Sequence, residues 1–230
     1  MSATAIAVQQ ARPKAVESDT EYIECGCGGL FAILGRWGGG VKEVFVKLGS
    51  QGSCSAAVTN ALAITVSICL RSGVPAPVIA EALQRDTGLC HQAGAAGTCI
   101  VAMGRILTEY VGQVSDEEMP AEPMKLSGTE RKRLTGCGHV EVICLDDSEG
   151  GLRKVRAELG RGGTCAHTVT RAVSHLVTIG LAYGVTSEQI AKGVGGISCP
   201  ASNCDSSSCL DAIARAIVMH EAAKVQEGGV

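Results

Sequence analysis

Four cysteines recur in the same order in both halves of the chain: Cys27, Cys54, Cys90 and Cys99, then Cys137, Cys165, Cys199 and Cys209. The intervals are 27, 36 and 9 residues in the first set and 28, 34 and 10 in the second. Each difference falls where the residues read as turn or loop. The chain is therefore written twice, and whatever unit it folds into is built twice.

The filler around the cysteines repeats as well. Gly-Cys-Gly (residues 26–28 and 136–138) precedes an apolar run that alternates as a strand does, with a turn and a second strand behind it. In the first copy the turn is the glycine-rich stretch 35–40 with Trp37 at its tip, followed by strand 41–48. In the second, strands at 139–145 and 152–159 flank a turn at 146–151. A Gly/Ser/Thr loop then leads into a long apolar helix opening at Cys54 or Cys165, with Ser53 and Thr164 as candidate N-caps. A shorter helix follows Pro75 and Pro77, or Thr186. A last helix opens at Cys99 or Cys209. This is an α+β pattern: two tandem repeats, each a β-hairpin followed by about three helices around a four-cysteine site. The helix at 54–71 is apolar almost all round. It predicts burial on several sides, with the copies packed on each other or on a second chain.

The repeats are expected at residues 21–111 and 131–220. Residues 1–20 read as a flexible leader and 221–230 as a tail that frays. Residues 112–130 hold five acidic residues, one lysine and two prolines and read as an acidic linker. With 46% hydrophobic residues but only 3% aromatic, the core must be built from Ala, Val, Ile and Leu. Ten Lys/Arg against eight Asp/Glu in 131–220 is too even for a nucleic-acid footprint, so no nucleic acid is expected. The N-terminal stretch has no apolar core behind a charged start, and no uncharged run is long enough to span a bilayer. A cytoplasmic protein is the expectation, and there twelve cysteines point to metal or thiol chemistry rather than to disulfides.

Two cysteines of each set precede or open helices, whose N-termini stabilise thiolates. The others lie in glycine- or proline-bearing loops where backbone can wrap closely. Four thiolates suit a tetrahedral zinc ion, with an iron–sulfur cluster as the alternative. The expected metal ligands are Cys27, Cys54, Cys90 and Cys99 in one site and Cys137, Cys165, Cys199 and Cys209 in the other. No two of them stand two residues apart, so no zinc knuckle is visible, and disulfides or exchanging thiols stay open. Cys69 and Cys144 have no counterpart in the other copy and read as small apolar core residues. Cys25 and Cys204 read as spare loop cysteines or as members of exchanging pairs. The loops 49–53 and 160–164 could cradle phosphate ahead of a helix, with Arg161 adding charge, but neither matches a P-loop or GxGxxG. His91, His139, His167 and His175 occupy no matched positions, and no catalytic residue is expected.

Thr135-Gly136-Cys137-Gly138, Gly162-Gly163-Thr164-Cys165-Ala166, Gly196-Ile197-Ser198-Cys199-Pro200 and Ser208-Cys209-Leu210-Asp211-Ala212-Ile213-Ala214 resemble the four blocks of the TSCPD domain. That domain occurs near the C-terminus of adenosylcobalamin-dependent ribonucleotide reductases and in small free-standing proteins. The namesake motif departs from the family in both copies: Leu210 stands where the family has Pro, and Gly97-Thr98-Cys99-Ile100-Val101 lacks both Pro and Asp. The resemblance implies an α+β unit with a four-cysteine metal site and a link to deoxyribonucleotide synthesis. It brings no reductase machinery, for which two such units leave no room. The expectation is a non-catalytic accessory or regulatory protein, with a ribonucleotide reductase catalytic subunit as partner and homo-oligomerisation open. One alternative is a thiol electron carrier using Cys25/Cys27 and Cys199/Cys204. The other is a nucleotide binder using the glycine loops.

Overall fold

A computed structural model describes residues 11–26, 28–49, 54–85, 97–111, 125–160, 165–200 and 206–227. Strands β1 (Glu17–Cys25), β2 (Gly28–Trp37) and β3 (Gly40–Leu48) form an antiparallel sheet in chain order. Helices α1 (Cys54–Arg71), α2 (Ala76–Arg85) and α3 (Cys99–Val111) follow. The series then repeats as β4 (Ser127–Thr135), β5 (Gly138–Asp146) and β6 (Leu152–Leu159), with α4 (Cys165–Ala182), α5 (Ser187–Val194) and α6 (Cys209–Glu227). The chain is α+β, and each repeat is a hairpin followed by three helices, as expected.

Each hairpin has one strand more than the sequence predicts, placed ahead of it. β1 takes in residues 17–20 of the expected leader, and β4 takes in 127–130 of the expected linker. Both are edge strands that pair on one side only and are largely exposed. Their sequences, ESDTEYIEC and SGTERKRLT, therefore carry little of the apolar alternation that marks a strand. The other hairpin turns follow their residues closely. Trp37 pairs with Gly40 across Gly38 and Gly39, whose φ values of 60° and 87° are those a two-residue type I′ turn demands. In the second copy the Asp147 carboxylate closes a longer turn by accepting from the amides of Glu149 and Gly151.

The inner faces of the two sheets are aliphatic. Leu30, Ala32 and Leu34 of β2 lie beside Leu48, Val46 and Val44 of β3; Val140, Val142 and Cys144 of β5 lie beside Leu159, Ala157 and Val155 of β6. α1 covers the first sheet and α4 the second, and α1 packs against α4 and α5, so the helices lie between the sheets. This accounts for the almost wholly apolar α1: one side serves its own sheet and another the second copy. At that junction the Cys69 thiol donates to the Leu176 carbonyl at 3.6 Å, and Gly180 lets the helices approach Cys69. The register of the copies is marked by matching bonds to the free strand edges. Ser67 of α1 bonds both backbone groups of Val44, and Thr178 of α4 does the same for Val155.

The last helix also departs from expectation. Residues 221–227, read as a fraying tail, continue α6, because the sheet holds this end of the helix. His220 is buried between Asp146, at 2.8 Å from Nε2, and Thr129, at 2.9 Å from Nδ1. Lys224 then reaches both Asp146 and the Gly150 carbonyl at 3.1 Å. Among the described residues no helix is long and apolar enough to cross a membrane.

In the first copy α3 crosses α2 at Gly104. A Cβ there would fall 2.9 Å from the Ala80 carbonyl oxygen and 3.0 Å from Leu83 Cβ. Gly104→Ala should therefore destabilise the protein by about 1–3 kcal/mol through overpacking, less the roughly 1 kcal/mol that alanine gains in a helix. Urea unfolding would measure it, and an unchanged or raised midpoint would show that the two helices separate freely.

Candidate metal centre

The second copy presents its four cysteines from four places. The β4–β5 turn runs from Thr135 to Gly138, which pair across Gly136 and Cys137, and the Thr135 hydroxyl donates to the Gly138 carbonyl at 2.8 Å. Cys137 sits half-buried at that turn. Cys165 is the first residue of α4 and is also half-buried. Cys209 is the first residue of α6 and is buried. Cys199 is buried in the loop before α6, where its amide donates to the Ser207 carbonyl at 3.0 Å.

Cys209 feels two of the others. Burial pushes the Cys209 thiol above its ordinary value; a hydrogen bond to the Thr170 hydroxyl pulls the other way, and Cys137 and Cys199 add to the rise. Thr170 lies one and a half turns along α4 from Cys165, so α4 supplies both a cysteine and a hydroxyl. The first copy keeps this contact: the Thr59 hydroxyl, five residues after Cys54, donates to Cys99 Sγ at 3.7 Å. A cysteine opening the last helix beside a threonine of the long helix is thus common to both repeats. Of the other cysteines expected as first-copy ligands, Cys27 and Cys90 lie outside the described residues, and Cys54 is placed by its backbone as the first residue of α1; Cys204 also lies outside them.

Among the described residues, no group of three or more His, Cys, Asp or Glu stands in a metal-binding arrangement. The donor set nonetheless fits zinc in kind. It consists of soft thiols, two of them opening helices whose N-terminal amides offset negative charge. No disulfide joins any of the eight cysteines whose side chains are described.

One residue at the centre has a role that sequence reading missed. Ser208 is the N-cap of α6, its hydroxyl accepting the Asp211 amide at 3.1 Å. The Asp211 carboxylate then turns back over the Cys199 loop. It accepts from the amides of Gly196 at 2.9 Å and Ser207 at 3.0 Å, and pairs with Arg215 at 2.7 Å. Both ends of the loop holding Cys199 are therefore fixed to the helix that begins with Cys209. Burial opposes ionisation of Asp211, but these donors outweigh it and hold the carboxyl below its ordinary range. Serine followed three residues later by an acid before an apolar run is a capping signature, and it was legible. The first copy keeps half of it: Thr98 caps the Val101 amide, but Val101 has no carboxylate to hold a loop.

The unmatched cysteines are structural where they are described. Cys69 and Cys144 are buried, and burial drives their thiols up to about 12 and about 11. Cys25 ends β1, where its thiol donates to the Gly28 carbonyl at 3.2 Å, and Thr135 makes the same bond in the second copy. Cys25 thus takes the place of a turn-locking threonine. His167 contacts the Leu159 carbonyl at 2.9 Å, tying the start of α4 to the end of β6. The glycine loops at 50–53 and 161–164, with Arg161, lie outside the described residues.

The model of one protein family, the TSCPD domain, matches residues 5–111 and matches again at 116–221. No curated protein and no solved structure matches the chain.

Proposed function

The chain belongs to the TSCPD domain family and carries the domain twice; from that premise we propose a non-catalytic accessory or regulatory protein of ribonucleotide reduction. The family is associated with ribonucleotide reductase-related proteins, and both copies together take up nearly the whole chain. In this reading Cys137, Cys165, Cys199 and Cys209 hold one metal ion and Cys27, Cys54, Cys90 and Cys99 another. Zinc is the first choice and an iron–sulfur cluster the second. Bound zinc would act as a structural cross-link, joining the β4–β5 turn to the starts of α4 and α6, and the protein would present that fixed surface to a reductase catalytic subunit.

The observation that carries the reading is the placing of Cys209. It is buried at a helix N-terminus, against the Thr170 hydroxyl and within electrostatic reach of Cys137 and Cys199. Metal binding would displace the thiol protons, so affinity should fall as pH is lowered. The thiol-carrier alternative has less support, because Cys25 does the work of a threonine.

Metal analysis of protein purified without chelator, with thiols counted before and after denaturation, tests the proposal. About two zinc ions per chain and few reactive native thiols are expected for two tetrahedral sites. A brown protein would move the assignment to a cluster. A metal-free protein whose cysteines all react in the native state would sink it.

A further inference from the structure

A cleft of about 400 Å³ lies where the two copies meet, at the free edge of β6. Lys154, Arg156 and Glu158 of β6 and Arg171 and His175 of α4 line it, and Arg85 at the end of α2 enters from the first copy. Four permanent cations thus face one cleft in a chain whose formal net charge is −3. Among the described residues, acids reach two of them. Glu81 pairs with Arg85, and Glu158 reaches Arg156 at 3.4 Å, both on exposed side chains where such pairs contribute little.

The duplication supplies an internal comparison. The bonds of Ser67 to Val44 and of Thr178 to Val155 align the copies residue by residue. On that alignment Lys154, Arg156, Arg171 and His175 correspond to Glu43, Phe45, Asn60 and Ile64. Glu43 is buried and held by Arg12 at 2.8 Å. The shared fold therefore does not require cations on this strand and helix; Lys154, Arg156 and Arg171 belong to the second copy, and Arg85 joins them from the first. The strand edge adds a donor. Val155 turns its amide outward to Thr178, and the amide of Ala157, two residues on, points the same way into the cleft.

We propose that this cleft binds a small molecule carrying a di- or triphosphate group. Arginine forks match phosphate oxygens in pairs, and several together favour a polyphosphate over a single phosphate or a carboxylate. The volume lies in the range of small-ligand sites. The site contains no cysteine and is separate from the glycine loops, so it stands or falls independently of the metal reading.

Titration calorimetry of the full chain with inorganic pyrophosphate and with ATP tests it, alongside an Arg156→Ala/Arg171→Ala double variant and Lys192→Ala as a control for charge. The proposal expects at least one probe to bind, binding to weaken as salt rises, and the double variant to lose about tenfold or more in affinity. It expects the control to bind as the parent does. Both arginines are exposed, so an unchanged melting temperature and unchanged metal content would show that fold and metal sites survive. Equal affinity in the double variant, or heat from a single-stranded oligonucleotide but from neither probe, would overturn it.

Discussion

Substituting Asp211 by alanine should cost about 3–5 kcal/mol and release the loop that carries Cys199. The estimate follows from what the carboxylate holds. Hydrogen bonds to a charged group contribute about 1.5–3 kcal/mol each, and Asp211 accepts two from backbone amides and one from Arg215. Its side chain is only 4% exposed, so water does not replace it readily, whereas Arg215 is half-exposed and will be rehydrated. The Arg215 pair is therefore discounted and the amides of Gly196 and Ser207 dominate. Asp211→Asn keeps an acceptor but loses the charge, and should cost about half as much. The effect has a sign in pH. A carboxyl held below its ordinary value of 3.8 stabilises the fold above that pH and ceases to do so as pH falls through its folded value. Acid unfolding of the alanine variant should accordingly be less steep than that of the parent below about pH 4. Thermal unfolding across pH, with the alkylation rate of Cys199 read by peptide mapping, would measure both parts. Unchanged stability together with an unchanged Cys199 rate would remove Asp211 from the centre.

The capping role of Asp211 shows what kind of information the sequence carried. Local signals were dependable where one residue decides a backbone conformation: Gly38-Gly39 for the tight turn, Thr186 for the start of α5, and Cys54, Cys165 and Cys209 as first residues of helices. The Thr186 cap is complete, with the Gln189 side chain returning to its amide. The repeat was legible because the cysteines hold their spacing while their surroundings drift. Signals failed where an element owes its existence to a neighbour distant in sequence. β1 and β4 are strands because β2 and β5 offer them an edge, and their polar residues give no period of their own. The end of α6 is helical because Asp146, 78 residues earlier in the chain, holds Lys224. The cleft could not be foreseen for the same reason: Arg85 and Arg171 are brought together only when the copies pack.

The drift between copies is itself directional. On the outer face of the first sheet Tyr22, Phe31 and Phe45 are exposed, with the Tyr22 and Phe31 rings 4.8 Å apart. The aligned positions in the second sheet are Lys132, Glu141 and Arg156. The clamp on the last helix has also been rebuilt, from Tyr110 bonding Glu21 in the first copy to His220 between Asp146 and Thr129 in the second. What both copies keep is the aliphatic inner face, the hydroxyl bond to the strand edge and the cysteine–threonine contact at the last helix. The conserved set is thus the core together with one chemical site, while the outer surfaces have been free to specialise.

That shared contact sets the largest expected effect, replacement of Cys209. If Cys209 is a metal ligand, Cys209→Ser and Cys209→Ala should behave alike: each should lower the metal content by about one ion per chain, and each should lower the melting temperature by about 10 °C or more. Structural zinc contributes about 10–16 kcal/mol to the folding of small metal-binding peptides, so loss of one ligand in four removes far more than one side chain's packing. If Cys209 is only a buried apolar residue, the two substitutions should differ. Alanine leaves a small cavity costing about 1 kcal/mol, whereas serine buries a hydroxyl and costs more unless Thr170 accepts it, and neither changes the metal content. Cys99→Ser in the first copy should remove the other ion, and the double variant should carry none. Cys69→Ala, at the junction of the copies, should leave the metal count untouched while still lowering stability, since it vacates a site packed against Gly180 and Leu176. Metal analysis and calorimetric melting on these five variants separate the readings, because only ligand loss couples a change in metal content to a change in stability.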